Sequence, residues 1–325
     1  MCDYEIKQWV KNAFPFLFDR YVEFRTKQAY EKRVKLCHES PEKLVRYVFD
    51  KIVQPKQELN LDAPVTFHEK LNWLKLNWFD ERAIICSDKY RVREYVKAKG
   101  LSFLLNELYA VYDSVEEIDL SKLPEKFILK ATHDSGHNVI CNGKEGLNLA
   151  LAKRQLNWWL EIDYAYMSGE WPYHTQHPRI ICEKLLEENS IGEIVDYKLF
   201  CFNGEPYVFF FASDRKHHAK ADFYDLHWHK QAYRWFYEPS GKVFAKPKCL
   251  QEMIEYAKIL SEGFPFVRVD FYEVEGTVYF GELTFFHGGG DGWFEPKEMD
   301  KVFGDLITLP EKMNPWSIIQ NEKTK

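Results

Sequence analysis

Arg268-Val269-Asp270-Phe271-Tyr272, a turn at Gly276, and Tyr279-Phe280-Gly281-Glu282-Leu283-Thr284 form the stretch that decides the fold. Side chains alternate along a strand, so Arg268, Asp270 and Tyr272 share one face, while Glu282 and Thr284 share a face of the returning strand. Two carboxylates can therefore converge. Such a pair offers the hard oxygens that Mg²⁺ takes while bridging triphosphate oxygens, and Arg268 beside them can stabilise phosphoryl charge. A hairpin with acids on its wet face is the competing reading, and spacing alone leaves both open.

Outward from this hairpin, apolar runs at 127–131, 179–183, 197–202, 208–211 and 266–272 read as strands, and Asn203-Gly204 and Glu275-Gly276 sit where hairpins turn. Helical segments fall at about 147–167 and 250–261, and a helix carrying Tyr90, Val92, Tyr95 and Val96 runs to Gly100. Residues 1–85 contain no glycine, and apolar residues recur there at three and four spacings, as in Leu44, Val45, Val48, Phe49 and Ile52. Pro41 after Ser40 reads as a helix start, and Pro55 and Pro64 bracket a connection. The expected class is α+β, with a helical part over 1–85, a smaller lobe over 86–190 and a larger lobe over 191–325.

The second signal is Lys130 at a strand end, followed by Ala131-Thr132-His133-Asp134-Ser135-Gly136-His137-Asn138. A lysine leaving a strand into a small, polar, glycine-containing turn suits a flap that lays N–H groups over phosphates. It is not a Walker loop, because Glu145 follows Gly143-Lys144 where that motif needs Ser or Thr. An ordinary β-turn is the plainer reading. Third, Ile180-Ile181-Cys182-Glu183-Lys184-Leu185-Leu186 offers apolar walls and a strand end of the kind an adenine slot needs, although edge strands share that look.

In this order, Asp88-Lys89, Lys130 with its glycine turn, Glu183-Lys184 with Leu186, Asp196-x-Lys198, Arg268-x-Asp270 and Glu282 resemble the ATP-grasp superfamily. The segments Thr66-Phe67-His68-Glu69-Lys70-Leu71-Asn72-Trp73, Ser87-Asp88-Lys89-Tyr90, Phe202-Asn203-Gly204, Phe223-Tyr224-Asp225-x-x-Trp228 and Gly281-Glu282-Leu283-Thr284 are similar to its TupA-like branch, named from teichuronopeptide biosynthesis. The likeness covers about residues 60–300. It implies an ATP-grasp fold, in which two β-lobes sandwich ATP.

By the same resemblance, Lys89 and Lys130 would bind phosphates beneath the Ser135-Gly136 turn, and Glu183, Lys184 and Leu186 would hold adenine. Asp196 would face the ribose or Lys198 the phosphates, while Asp270 and Glu282 would bind Mg²⁺. Thr284 stands where the superfamily usually has Asn, which leaves a second Mg²⁺ in question. Arg268, Lys198 and Arg215 are the expected catalytic cations. His287-Gly288-Gly289-Gly290 follows Glu282 and reads as a substrate loop, or as a plain turn; an esterase is excluded because no Gly-x-Ser-x-Gly exists.

The implied activity joins a carboxylate and an amine through an acyl phosphate, with a uronic or amino acid of surface-polysaccharide assembly as substrate. A kinase of the same fold, a glycosyltransferase and a non-catalytic nucleotide-binding scaffold are the alternatives. No Asp-x-Asp supports the glycosyltransferase, and a scaffold does not need Lys130, Asp270 and Glu282 together. Four histidines, His217, His218, His227 and His229, lie within thirteen residues, but neighbouring lysines favour a basic surface for phosphate or an acidic substrate over zinc.

Composition bounds the partners. The 325 residues are 46% hydrophobic and 17% aromatic, enough for a large core rich in rings. The net charge is −6 and the basic residues form no stripe, which argues against nucleic acid. No run approaches the ~20 apolar residues of a membrane span. Seven cysteines without a C-x-x-C pair read as reduced core residues of a cytoplasmic protein.

Overall fold

The computed structural model describes residues 15–53, 58–174, 177–186, 196–213 and 219–322, and the side chains of these except 15–23 and 321–322. Helices cover Pro15–Glu39, Pro41–Ile52, Phe67–Asn77 and Glu81–Ser87 before the first strand. Pro41 opens its helix as expected, in the first turn, where its missing N–H costs nothing.

A small antiparallel sheet combines β1 (Leu108–Tyr112), β2 (Lys126–Ala131), β3 (Asn138–Asn142) and β4 (Ile180–Lys184) in the order β1-β4-β2-β3. A larger one combines β5 (Asp196–Phe202), β6 (Glu205–Ser213), β7 (Lys220–Asp225), β9 (Phe266–Val274) and β10 (Thr277–Thr284) in the order β10-β9-β5-β6-β7. A two-stranded ribbon pairs β8 (Arg234–Trp235) with β11 (Phe294–Glu295). The anticipated hairpins turn at Asn203 and Glu275, both of which adopt positive φ. The segment expected to be helical over 147–167 is two helices, Leu149–Glu161 and Ala165–Ser168.

The hydrophobic core does not follow the expected boundary at residue 85. Leu44, Val48, Phe67, Leu71 and Val96 share one core with the large sheet, whereas the small sheet has its own core of Phe127, Leu129, Val139, Leu156 and Ile180. The reason lies in the helix Phe67–Asn77. Thr66 and Glu69 close a capping box at its start, and Phe67 is fully buried among Phe200, Phe202, Phe266, Phe294 and Phe303. Val92, Val96, Leu101 and Leu104, counted in sequence with the small lobe, also join the large core. The boundary anticipated at 190 lies outside the described residues.

Candidate active site

β5 is buried along its whole length, so its two charged residues must find partners inside the protein. Asp196 and Lys198 lie two apart and share a face. Lys198 Nζ is 2.5 Å from Asp196 Oδ2 and donates to Asp270 Oδ2 on β9. Register explains this: Asp270 lies opposite Lys198 on one side and opposite Glu282 of β10 on the other. An irregularity between Phe280 and Glu282 sets that alignment. Glycine fits the bulge because a Cβ at 281 would stand 3.0 Å from the Asp270 carbonyl oxygen.

Arg268 is the hub of this face. Its Nε and Nη2 donate to the two oxygens of Asp270, each at 2.7 Å. Nη2 also donates to Glu282 Oε1 at 2.8 Å and Thr284 Oγ1 at 3.0 Å, and Nη1 donates to His287 Nδ1 at 3.0 Å. The planar fork suits bidentate carboxylate pairing. Burial works against the Arg268 charge, but Asp270 and Glu282 outweigh it and raise its pKa further. Burial likewise pushes Glu282 up, yet Arg268 and Lys198 hold it at about 2. Burial drives the Asp270 carboxyl up, opposed by Arg268 and Lys198. For His287, burial and then Arg268 keep the ring neutral. With Nδ1 accepting from Arg268, its proton sits on Nε2, which has no partner among the described residues.

The small sheet presents a second set of charges. Lys130 on β2 reaches Glu183 Oε2 on β4 at 2.9 Å, and Arg93 reaches Glu183 Oε1 at 3.1 Å. Lys89 donates to the Ala131 carbonyl at 3.0 Å, to the Asp134 carbonyl and to Asp134 Oδ1 at 3.0 Å. The lysine thus ties the turn after β2 to the start of its own helix. Burial would raise the Asp134 carboxyl, but Lys89 and His137 hold it below the usual range. His137 stacks flat on Trp159 at 4.8 Å, which fixes the far side of the turn.

Both sets face one cavity of about 810 Å³, large enough for a nucleotide-sized ligand. Of the residues singled out in the sequence, Lys89, Lys130, Ser135, Gly136, Glu183, Lys184, Leu186, Asp196, Lys198, Arg268, Glu282, His287, Gly288 and Gly289 line it, with Thr284. Asp270 does not line it. Its side chain is 1% exposed, with Arg268 and Lys198 standing between it and the cavity. Arg215, His217 and His218 lie outside the described residues.

The His287–Gly290 loop is held from beneath. Lys75, fully buried, donates to the carbonyls of Ser168 at 2.8 Å and Gly289, and Asn72 donates to the Gly290 carbonyl at 2.7 Å. Gly288 has φ +60°, and a Cβ there would stand 2.5 Å from the Trp235 ring, so only glycine fits. Sequence reasoning missed Arg93, Lys75, Glu170 and Asp291. Asp291 follows the glycine loop directly and could have been noticed; Glu170, in Gly169-Glu170-Trp171, carries no pattern.

Among the described residues no group of three His, Cys, Asp or Glu could hold a metal ion. The Asp270 and Glu282 pair nevertheless fits Mg²⁺ in chemistry: both donors are carboxylates, they face each other across one strand pair, and Thr284 Oγ1 adds a neutral oxygen 3.2 Å from Glu282.

The sequence model described as TupA-like ATPgrasp matches residues 69–308. The chain belongs to the TupA-like ATP-grasp family. No curated protein matches this TupA-like chain. Among solved structures, D-alanine–D-alanine ligase from Bacillus anthracis is 15% identical with a TM-score of 0.41, covering 73% of this chain and 69% of the ligase. The Helicobacter pylori D-alanine–D-alanine ligase is 15% identical with a TM-score of 0.42, covering 74% and 69%. Phosphoribosylamine–glycine ligase from Thermotoga maritima is 16% identical with a TM-score of 0.40, covering 64% of this TupA-like chain and 50% of its own.

Proposed function

We propose that the protein is an ATP-dependent carboxylate–amine ligase that forms an amide through an acyl phosphate. One observation carries the reading: Lys89 and Lys130 from the small-sheet side, and Lys198, Arg268 and Glu282 from the large sheet, face the same cavity. Four cations and a carboxylate around one space suit a metal-bound triphosphate. Membership of the TupA-like ATP-grasp family supports this reading.

In this reading Lys89 and Lys130 bind phosphates under the Ser135-Gly136 turn, and Glu183, Lys184 and Leu186 hold adenine. Asp196 takes the ribose or Lys198 a phosphate. Asp270 and Glu282 would hold Mg²⁺, which when bound neutralises phosphate charge and polarises the transferred phosphoryl group. For that, Lys198 and Arg268 turn part of their hydrogen bonding from the two acids to the phosphoryl oxygens. The substrate carboxylate attacks the γ-phosphorus and ADP leaves; the amine nitrogen then attacks the acyl carbon and inorganic phosphate leaves. The neutral His287 ring, with a free Nε2–H, can donate to a substrate oxygen near the Gly288-Gly289 loop. Positioning and electrostatics suffice, so no nucleophilic thiol is required. The six described cysteines are indeed buried, and burial pushes Cys37, Cys182 and Cys201 up to about 12.

The carboxylate is assigned to a uronic or amino acid of surface-polysaccharide assembly, acted on in the cytoplasm. No described helix is long and apolar enough to cross a membrane. Phosphate release from ATP, screened against uronic acids and amino acids with and without amines, tests the reading. Release requiring Mg²⁺, a carboxylate and an amine, and falling at least ~10²-fold in Glu282→Gln, is expected. A phosphorylated product formed without any amine, or full activity of Glu282→Gln, would overturn it.

A further inference from the structure

Glu170 and Asp291 line the cavity beside the Gly288–Gly290 loop, are 6% and 2% exposed, and have no part in the triphosphate site described above. Neither oxygen of Asp291 has a hydrogen-bond partner among the described residues. Glu170 Oε1 accepts from the Ser168 hydroxyl. Asp291 Oδ2 and Glu170 Oε1 each stand 3.6 Å from the point a Gly289 Cβ would occupy, so both acids bear on the same spot of the loop. A side chain at 289 would fill that spot.

The basic side chains nearby give their hydrogen bonds to other groups. Lys75 gives its hydrogen bonds to the Ser168 and Gly289 carbonyls. His68 accepts from the Trp235 indole at Nε2, which puts its proton on Nδ1, where it faces Asp300 at 2.8 Å. Arg33, also on the cavity, reaches Met167 Sδ. A buried carboxylate without a hydrogen bond is costly unless a cation arrives to meet it. Here two acids border the cavity, and among the described residues no third ligand makes them a metal site.

We infer that Glu170 and Asp291 form the subsite for the incoming amine, binding it as an ammonium ion beside Gly289. The substrate class rests on the ligase reading, since an amine nucleophile reaches the enzyme at neutral pH as R–NH₃⁺. Bound there, the nitrogen passes a proton to a carboxylate oxygen of the pair. Its freed lone pair forms the C–N bond at the acyl carbon as the carbon–oxygen bond to phosphate breaks; the electron pair leaves with the phosphate, which takes up the second proton of the nitrogen and departs as hydrogen phosphate. Burial, opposed by Lys75, raises Glu170 to about 7 and Asp291 to about 6, a range in which a carboxylate can accept that proton.

Ligand-observed NMR on the full chain with Mg·ADP, using ethylammonium as probe and ethanol as its uncharged control, tests the subsite. Ethylammonium is expected to bind, ethanol not, and Asp291→Asn and Glu170→Gln are each expected to weaken the ammonium at least tenfold while Mg·ADP affinity stays within twofold. Equal binding of ethanol, no ethylammonium binding, or unchanged binding in both variants would overturn the inference. Ammonium binding lost in the variants, with no amide formed from any carboxylate, would leave the cation subsite standing and remove the ligase reading. Amide synthesis with unchanged amine KM in both variants would do the reverse.

Discussion

The two sheets bring charge to the cavity in different ways. Lys130 and Lys89 on the small-sheet side keep side chains 24% and 18% exposed, and each leans on a single carboxylate. On the large sheet, Arg268, Lys198 and Asp270 are at most 10% exposed and share their partners. The large sheet also shares its core with the N-terminal helices, whereas the small sheet packs on a core of its own. One side is therefore a fixed electrostatic template; the other can yield to a ligand at small cost.

Removing the hub should separate the two sides most sharply. Arg268→Ala leaves the buried Asp270 with Lys198 alone and takes from the partly exposed Glu282 its nearest cation, so a stability loss of about 3–5 kcal/mol in denaturant unfolding is expected, with activity down at least ~10²-fold. A variant that unfolds like the wild type would show that the interlocked face is not under tension from its own charges. Gly288→Ala comes next. Positive φ and the Trp235 ring both oppose a side chain there, and a loss of about 1–3 kcal/mol is expected, read as a lowered Tm. Lys130→Ala should act in the opposite sense on the other side: Glu183 retains Arg93, so stability changes by less than about 1 kcal/mol, while the KM for ATP rises ~10-fold or more.

The smallest effect concerns Glu170. Its carboxyl is raised from 4.5 to about 7 in the folded protein, so the native state binds the extra proton between those values. Stability from this group is present below its unfolded pKa and lost as pH rises through about 7. Glu170→Gln cannot titrate, and it should be more stable than the wild type at pH 8 by on the order of 1 kcal/mol, with the gap closing toward pH 5. A constant gap across that range would remove the assigned cause.

What the sequence disclosed follows the same division. Alternation in Arg268-x-Asp270 and Glu282-x-Thr284 placed the large-sheet charges on shared faces, because period two survives any packing. It could not show that Asp270 is sealed behind two cations, since that depends on cross-strand register with Lys198. Two of the family-like segments have structural duties instead. Thr66 and Glu69 cap a helix, and Tyr224 stacks on Trp228 at 4.4 Å while Asp225 closes the turn between them. The helices Pro41–Ile52 and Phe67–Asn77 were visible in their spacing, but their union with the large sheet was not, because periodicity marks a buried face without naming what covers it. Glu170 escaped notice for a related reason: only folding brings it beside Asp291 and Gly289.

The central claim is that one cavity between the sheets receives Mg·ATP from both sides. Calorimetric titration of the β,γ-imido analogue of ATP with Mg²⁺ into the wild type, Lys130→Ala and Lys198→Ala tests it directly. Saturable one-to-one binding in the wild type, weakened tenfold or more by each substitution, is the expected result. No heat with the wild type, or equal affinity in all three proteins, would contradict the account.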